Sequence, residues 1–197
     1  MTSENITPTS DLSHKLNMPA SQAAQRLLGS ILERTLDGHI IQVRIVETEA
    51  YDETDAASHS YKGRTPRNDI MFGPAGYLYV YFTYGMHYCC NIVVGNDRKG
   101  AAVLIRAVEP LNGTATLEKF RPNKHGRELT NGPAKLCKAL NIDKRMNGHD
   151  LRKPPLRLIL TPKMAQKDTR ISTRIGISQS KDMVWRFYIA NNPYVSN

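Results

Sequence analysis

Along this 197-residue chain the apolar positions fall into short runs, most with a two-residue period, and the first clear departure is helical. Ala20, Ala23, Ala24, Leu27 and Leu28 keep the three/four spacing of one buried helix face, behind Pro19, which suits a first turn, and ahead of Gly29, which suits a stop. Before it, residues 1–17 are rich in Ser, Thr and Asn without an apolar period and read as a mobile arm, so a single domain is expected over 18–197. After it, Ser30 to Leu36 and Ile40 to Tyr51 read as strands joined by an Asp37-Gly38 turn. On the second strand, strict alternation puts Ile41, Val43, Ile45, Glu47, Glu49 and Tyr51 on one face, which begins apolar and ends in carboxylates.

Asp52 to Asp69 has no period and many polar residues; aperiodic segments of this length in compact domains are commonly functional or disordered, and this one carries His59, Arg64 and Arg67. Gly76 to Val94 reads as two strands folded at Tyr84 to His87, and Ala101 to Val108 as a further, central strand. Asn112 to Arg127 is polar and basic, and a short helix begins near Pro133, with Lys135 and Lys138 on it. Leu156 to Leu160, Ile171 to Ile177 and Trp185 to Ile189 supply the remaining strands. The expected fold is α+β: one domain with a mainly antiparallel sheet, flanking helices and a protruding hairpin, without repeats or linkers.

Composition narrows the class. With 40% hydrophobic and 23% charged residues the chain can bury a real core, and no stretch approaches the ~20 apolar residues of a membrane span. Met1 to Asn5 lacks the order of a signal peptide, so a cytoplasmic protein with no membrane partner is expected. Cys89, Cys90 and Cys137 make neither a disulfide framework nor a CxxC metal motif, and the six histidines are scattered without ligand spacing, so no metal is expected. A net charge of +9 and a pI near 9.6 favour a polyanionic partner. Zinc-deaminase, P-loop and nucleophile-elbow motifs are absent from the sequence.

Several residues could carry chemistry. Glu49 shares its expected face with Val43 and Ile45, so it points into the interior or a cleft, and Arg106 shares a face with Leu104 and Val108. Each needs the other or water. Together they make a general base poised on a water or a structural ion pair, unless Glu49 simply lies at a solvent-facing sheet end. Tyr77, Tyr79 and Tyr81 alternate on one strand, and with Tyr51 and His59 they could stack a planar base or simply pack. Tyr84-Gly85-Met86-His87 at a hairpin tip suits either a duplex-opening wedge or a dimer contact. The Gly132-Pro133 helix start, with Lys135 nearby, could hold a phosphate or be an ordinary helix start.

Taken as ordered blocks, Val46-Glu47-Thr48-Glu49-Ala50-Tyr51, His59-Ser60, Thr65-Pro66-Arg67-Asn68, Leu78-Tyr79-Val80-Tyr81, Tyr84-Gly85-Met86, Leu104 to Pro110 and Gly132 to Cys137 closely resemble the alkyladenine (3-methyladenine, methylpurine) DNA glycosylase family, from about Pro19 to Ser196. The resemblance implies a compact mixed α/β domain and a monofunctional, cofactor-free glycosylase. Such an enzyme flips damaged purines out of double-stranded DNA and hydrolyses the N-glycosidic bond, leaving an abasic site. It further implies a monomer that searches DNA at the nucleoid; the alternative is a noncatalytic protein that binds damaged DNA.

By that resemblance Glu49 is the general base and Arg106 helps hold its water, with a backbone carbonyl near Ile175 as a third contact. Tyr51 and His59 stack on one side of the extruded base and Tyr81 on the other. Asn91 crowds the exocyclic amine of guanine, while Leu104, Met71 and Cys89 are pocket neighbours. Tyr84 intercalates with Met86 beside it, Thr65 faces DNA, and Lys135 and Lys144 meet phosphates. The chain departs from the family pattern around the wedge, at His87, Tyr88 and Cys90.

Overall fold

In the computed structural model, which describes residues 11–96 and 98–196, the second predicted strand is the spine. Strand β1 (Ile31–Leu36) turns at Asp37-Gly38, both in the left-handed region, into the 13-residue β2 (His39–Tyr51). The expected hairpin follows as β3 (Leu78–Thr83) and β4 (His87–Val93), and β5 (Ala102–Pro110) lies centrally between β4 and β2. With β6 (Leu156–Ile159) the order is β3-β4-β5-β2-β1-β6, while β8 (Arg186–Ile189) pairs with β2 and with β7 (Thr169–Ser172). Every pairing is antiparallel, as the α+β reading expects.

Among the described residues, four α-helices pack on the sheet: α1 (Asp11–Leu16), α2 (Ala20–Leu27), α3 (Thr114–Phe120) and α4 (Pro133–Ala139). Their buried residues, including Leu16, Ala23, Leu27, Leu117 and Leu136, join Ile41, Val43, Ile45, Val103 and Ile105 in one core. Two of these helices correct the sequence reading. Residues 11–16, expected within the arm, form α1, with Leu12 and Leu16 in the core; two apolar residues one turn apart were too few to stand out as a period. Residues 1–10 of that expected arm lie outside the described residues. Likewise Asn112 to Arg127 contains α3, whose single fully buried leucine, Leu117, is hidden among polar neighbours.

A further correction concerns which way the carboxylates point. Val43, Ile45 and Val108 belong to the main core, as expected, but so do Ala50, Val103 and Ile105, which strict alternation would place on the other face. The pairing of β2 with β5 is irregular between Ile45 and Thr48, a bulge that resets the alternation on both strands. There β2 also changes neighbours, from β1 to β8. Glu49 therefore does not share a face with Val43 and Ile45, nor Arg106 with Val108. The bulge turns Glu49, Leu104 and Arg106 into a separate cavity, over a smaller apolar cluster of Met71, Tyr79, Val93 and Ala102.

Candidate active site

The cavity has a volume of about 450 Å³. At its inner wall Glu49 is fully buried, and its oxygens are held from three sides. The Tyr51 hydroxyl donates to Oε2 at 2.8 Å, the Ile175 backbone N–H donates to Oε1 at 2.8 Å, and Arg106 Nη1 lies 3.2 Å from Oε1. Ile175 thus reaches Glu49 through its backbone N–H. A cation and two hydrogen-bond donors take the place of water around the buried carboxylate. Burial works against the Arg106 charge, yet Glu49 and Glu47 outweigh it and hold the guanidinium above its ordinary pKa.

Aromatic rings make the walls. Burial, followed by the adjacent Glu49 charge, pushes the Tyr51 phenol well above its ordinary range; burial and then Cys89 do the same for Tyr81. Burial raises Tyr79 to about 12 and the Cys89 thiol to about 11. All four are protonated at neutral pH, so the phenols act as donors. His59 is lowered by burial and then by Arg67, which favours the neutral ring, and its Nδ1 lies 2.9 Å from the Tyr79 hydroxyl. The His59 and Tyr81 rings meet edge to face with centroids 4.5 Å apart. They are in direct contact, so a base lying with these rings on opposite sides would have to part them.

The aperiodic segment that carries His59 is ordered by polar contacts rather than by a repeating pattern. Asn68 Nδ2 donates to the carbonyls of His59 (2.7 Å) and Gly63 (2.9 Å), and Ser60 Oγ donates to the Gly100 carbonyl at 2.7 Å. Gly100 is required for that approach, since a Cβ there would come within 2.5 Å of Ser60 Cβ. Opposite, the expected strand Ile171 to Ile177 is paired only to Ser172; beyond it the chain leaves the sheet, and Ile175 to Gln179 line the cavity. Arg174 anchors this turn on the Ala50 carbonyl (2.9 Å) and in a fully buried pair with Asp55.

Of the residues expected at the site, Glu49, Arg106, Tyr51, His59, Tyr81, Asn91, Leu104, Met71, Cys89 and Tyr84 all line the cavity. Tyr84 is also 80% exposed, and Met86 beside it 71%, at the hairpin tip, where Tyr84 and Gly85 both adopt positive φ to make the turn. Thr65, Met86, Lys135 and Lys144 stand outside the lining. Thr65 and Lys144 are exposed, and the Lys135 ammonium donates to Asn131 Oδ1 at 2.7 Å. Glu47, Asp55, Arg174 and Arg186 form the charged framework around the site. Sequence reasoning missed that role, because nothing local marks which distant carboxylate an arginine meets. Among the described residues, no group of three or more His, Cys, Asp or Glu side chains could hold a metal ion. Nor is any described helix long and apolar enough to cross a membrane.

The site is therefore an aromatic cavity beside an exposed hairpin tip, on a basic α+β domain. Comparison with known proteins gives the family: the model for Methylpurine-DNA glycosylase (MPG) matches residues 14–193, and the chain belongs to that family. Three relatives carry the name "Putative 3-methyladenine DNA glycosylase". The one from Carboxydothermus hydrogenoformans is 49% identical over 174 residues, covering 88% of this chain and 91% of its own. That from Francisella tularensis subsp. tularensis (strain SCHU S4) is 44% identical over 184 residues, 92% and 95% of the two chains. That from Chlorobaculum parvum is 43% identical over 180 residues, 90% and 86%.

Proposed function

We propose that the protein is a monofunctional glycosylase that receives an alkylated or otherwise damaged purine flipped out of duplex DNA, and that Glu49 activates the water that cleaves its N-glycosidic bond. The observation that carries this reading is the placement of a buried, arginine-paired carboxylate in the wall of an aromatic cavity with room to admit a base. An intact duplex hides the bond, so the nucleotide rotates out at a cost of a few kcal/mol, least where damage has weakened pairing. Alkylation at N3 or N7 leaves the purine cationic and a good leaving group, and tyrosine faces attract that cation. As C1′ gains oxocarbenium character, Glu49 takes a proton from water and offsets the positive sugar, while Arg106 fixes the carboxylate. Hydrolysis leaves an abasic site. No lysine lines the cavity among the described residues, which supports hydrolysis over a Schiff-base lyase.

The test is incubation with methylated duplex DNA, followed by separation of free base from polymer. Free methylpurine, with a strand that breaks only on alkaline treatment, is expected. Tight binding without released base would make the protein a damage-binding module, and a nick without alkali would make it a lyase.

Two further outcomes follow from the surface. Tyr84→Ala removes an exposed ring that fills the space left by the flipped nucleotide. Excision from duplex is expected to fall more than excision of an already unpaired lesion; equal losses on both substrates would remove the wedge role. Binding to undamaged duplex is expected to weaken steeply as salt rises, because Lys135, Lys144 and their basic neighbours would release counterions from phosphates. A flat titration between ~50 and ~200 mM salt would contradict it.

A further inference from the structure

Arg106 touches more than Glu49. Its Nε donates to Glu47 Oε1 at 3.0 Å and its Nη2 donates to Ser196 Oγ at 3.3 Å, so one edge of the guanidinium grips these two groups and turns Nη1 toward Glu49. Glu47 is fully buried but does not line the cavity. It accepts from Arg106, from Arg186 Nε at 2.6 Å, from the Ser196 N–H at 2.7 Å and from the Ser196 hydroxyl at 2.9 Å. Arg186 Nη2 donates in turn to the Ser196 carbonyl at 3.1 Å. Ser196 is therefore bonded through its N–H, hydroxyl and carbonyl, and it is only 8% exposed. A hydroxyl has one proton to give and lone pairs to receive, which is how this one is used: it donates to Glu47 and accepts from Arg106.

We propose that Ser196 is a positioning residue for excision: together with Glu47 it fixes the rotation of the Arg106 guanidinium, and so the setting of the Glu49 carboxylate. This role rests on the reading that Glu49 and Arg106 serve base excision. Glu47 alone fixes only the Nε corner, about which the guanidinium can still swing. The Ser196 hydroxyl fixes the second corner. Without it, Nη2 loses its partner, Glu47 loses one of four donors, and Arg106 is free to close on Glu47 at the expense of Glu49.

The test compares wild type, Ser196→Ala, Ser196→Thr and Glu49→Gln. Single-turnover release of methylpurine from duplex DNA is measured alongside lesion-DNA Kd and Tm. Misplacing a group near the chemistry is worth up to about 100-fold in rate, and removal of one hydroxyl is expected to slow release on the order of 10-fold. Kd is expected to stay at the wild-type value, because the hydroxyl is buried behind the cavity wall, and Tm to fall by no more than about 2–10 °C, because two buried hydrogen bonds are lost while the backbone bonds of residue 196 remain. Ser196→Thr keeps the hydroxyl and is expected to recover most of the rate. Three results would overturn the role: Ser196→Ala at the wild-type rate, a rate loss accompanied by weaker binding or by unfolding at the assay temperature, or threonine as slow as alanine. A wild type that releases no base would overturn the excision reading and this role with it. An active wild type and a silent Glu49→Gln beside a fast Ser196→Ala would overturn the role of Ser196 alone.

Discussion

Replacing Asp55 by asparagine is expected to cost about 3–5 kcal/mol of stability, or roughly 10 °C in Tm for a domain of this size. The side chains of Asp55 and Arg174 have no solvent exposure. Both guanidinium Nη groups reach the carboxylate, and Arg174 Nε has no hydrogen-bond partner at all. Asparagine fits the same space but carries no charge, so the substitution leaves a buried cation uncompensated. The Arg174 guanidinium also lies over the Tyr51 ring at 4.5 Å and the Trp185 ring at 5.6 Å, so its displacement would disturb the cavity wall as well as the turn that carries Ile175.

The pH dependence of this pair has a definite sign. Burial alone would raise the Asp55 carboxyl, but Arg174 and the Ala57 N–H outweigh it and hold it below its ordinary value. A depressed folded pKa contributes stability that is fully present above the unfolded value, near 4 for an aspartate, and is lost as pH falls through the lower folded value. Urea unfolding of the wild type is therefore expected to show an acid loss below about pH 4 that Asp55→Asn lacks in part. Equal stability of the two chains at pH 7 would show that Arg174 finds other partners.

How far the site was legible depended on the range of the interaction. Helix α2, the hairpins and the central place of β5 were readable, because period, turn residues and strand length are local. The order of sequence blocks was also enough to name the family and to pick out ten cavity-lining residues. What alternation could not give was the direction of Glu49 and Arg106. The bulge between Ile45 and Thr48 arises where β2 exchanges β1 for β8, a neighbour about 140 residues away in sequence that no local pattern announces. Glu47 and Glu49 look equivalent on the strand. Only the fold separates them, giving Glu47 to Arg186 and Ser196 and leaving Glu49 at the cavity wall. The long segment after Tyr51 was readable as functional but not as structure, since its order comes from single contacts such as Asn68 to His59 and Ser60 to Gly100.

Glu49→Gln carries the largest expected effect on activity. Glutamine keeps the shape of the side chain. Its carbonyl can accept from Ile175 and Arg106, and its amide can donate to the Tyr51 oxygen. What disappears is the negative charge, and with it both the acceptor for a proton from water and the counter-charge to the sugar cation. General-base catalysis contributes about 100- to 10,000-fold, and loss of the electrostatic contribution adds to it. Folding should survive, because Arg106 retains Glu47 as a charged partner at 3.0 Å. Lesion binding should survive too, because Tyr51, Tyr81, Tyr84 and the basic surface are unchanged, and removing a carboxylate near a phosphodiester can tighten it.

The most direct measurement is therefore single-turnover release of free methylpurine from duplex DNA by wild type and Glu49→Gln, with lesion affinity and Tm taken on the same preparations. The predicted result is a rate lower by at least about 100-fold, with affinity and Tm retained. Release at the wild-type rate would contradict the account, since the water would then be activated elsewhere, and a variant that unfolds would instead make Glu49 one half of a structural pair with Arg106.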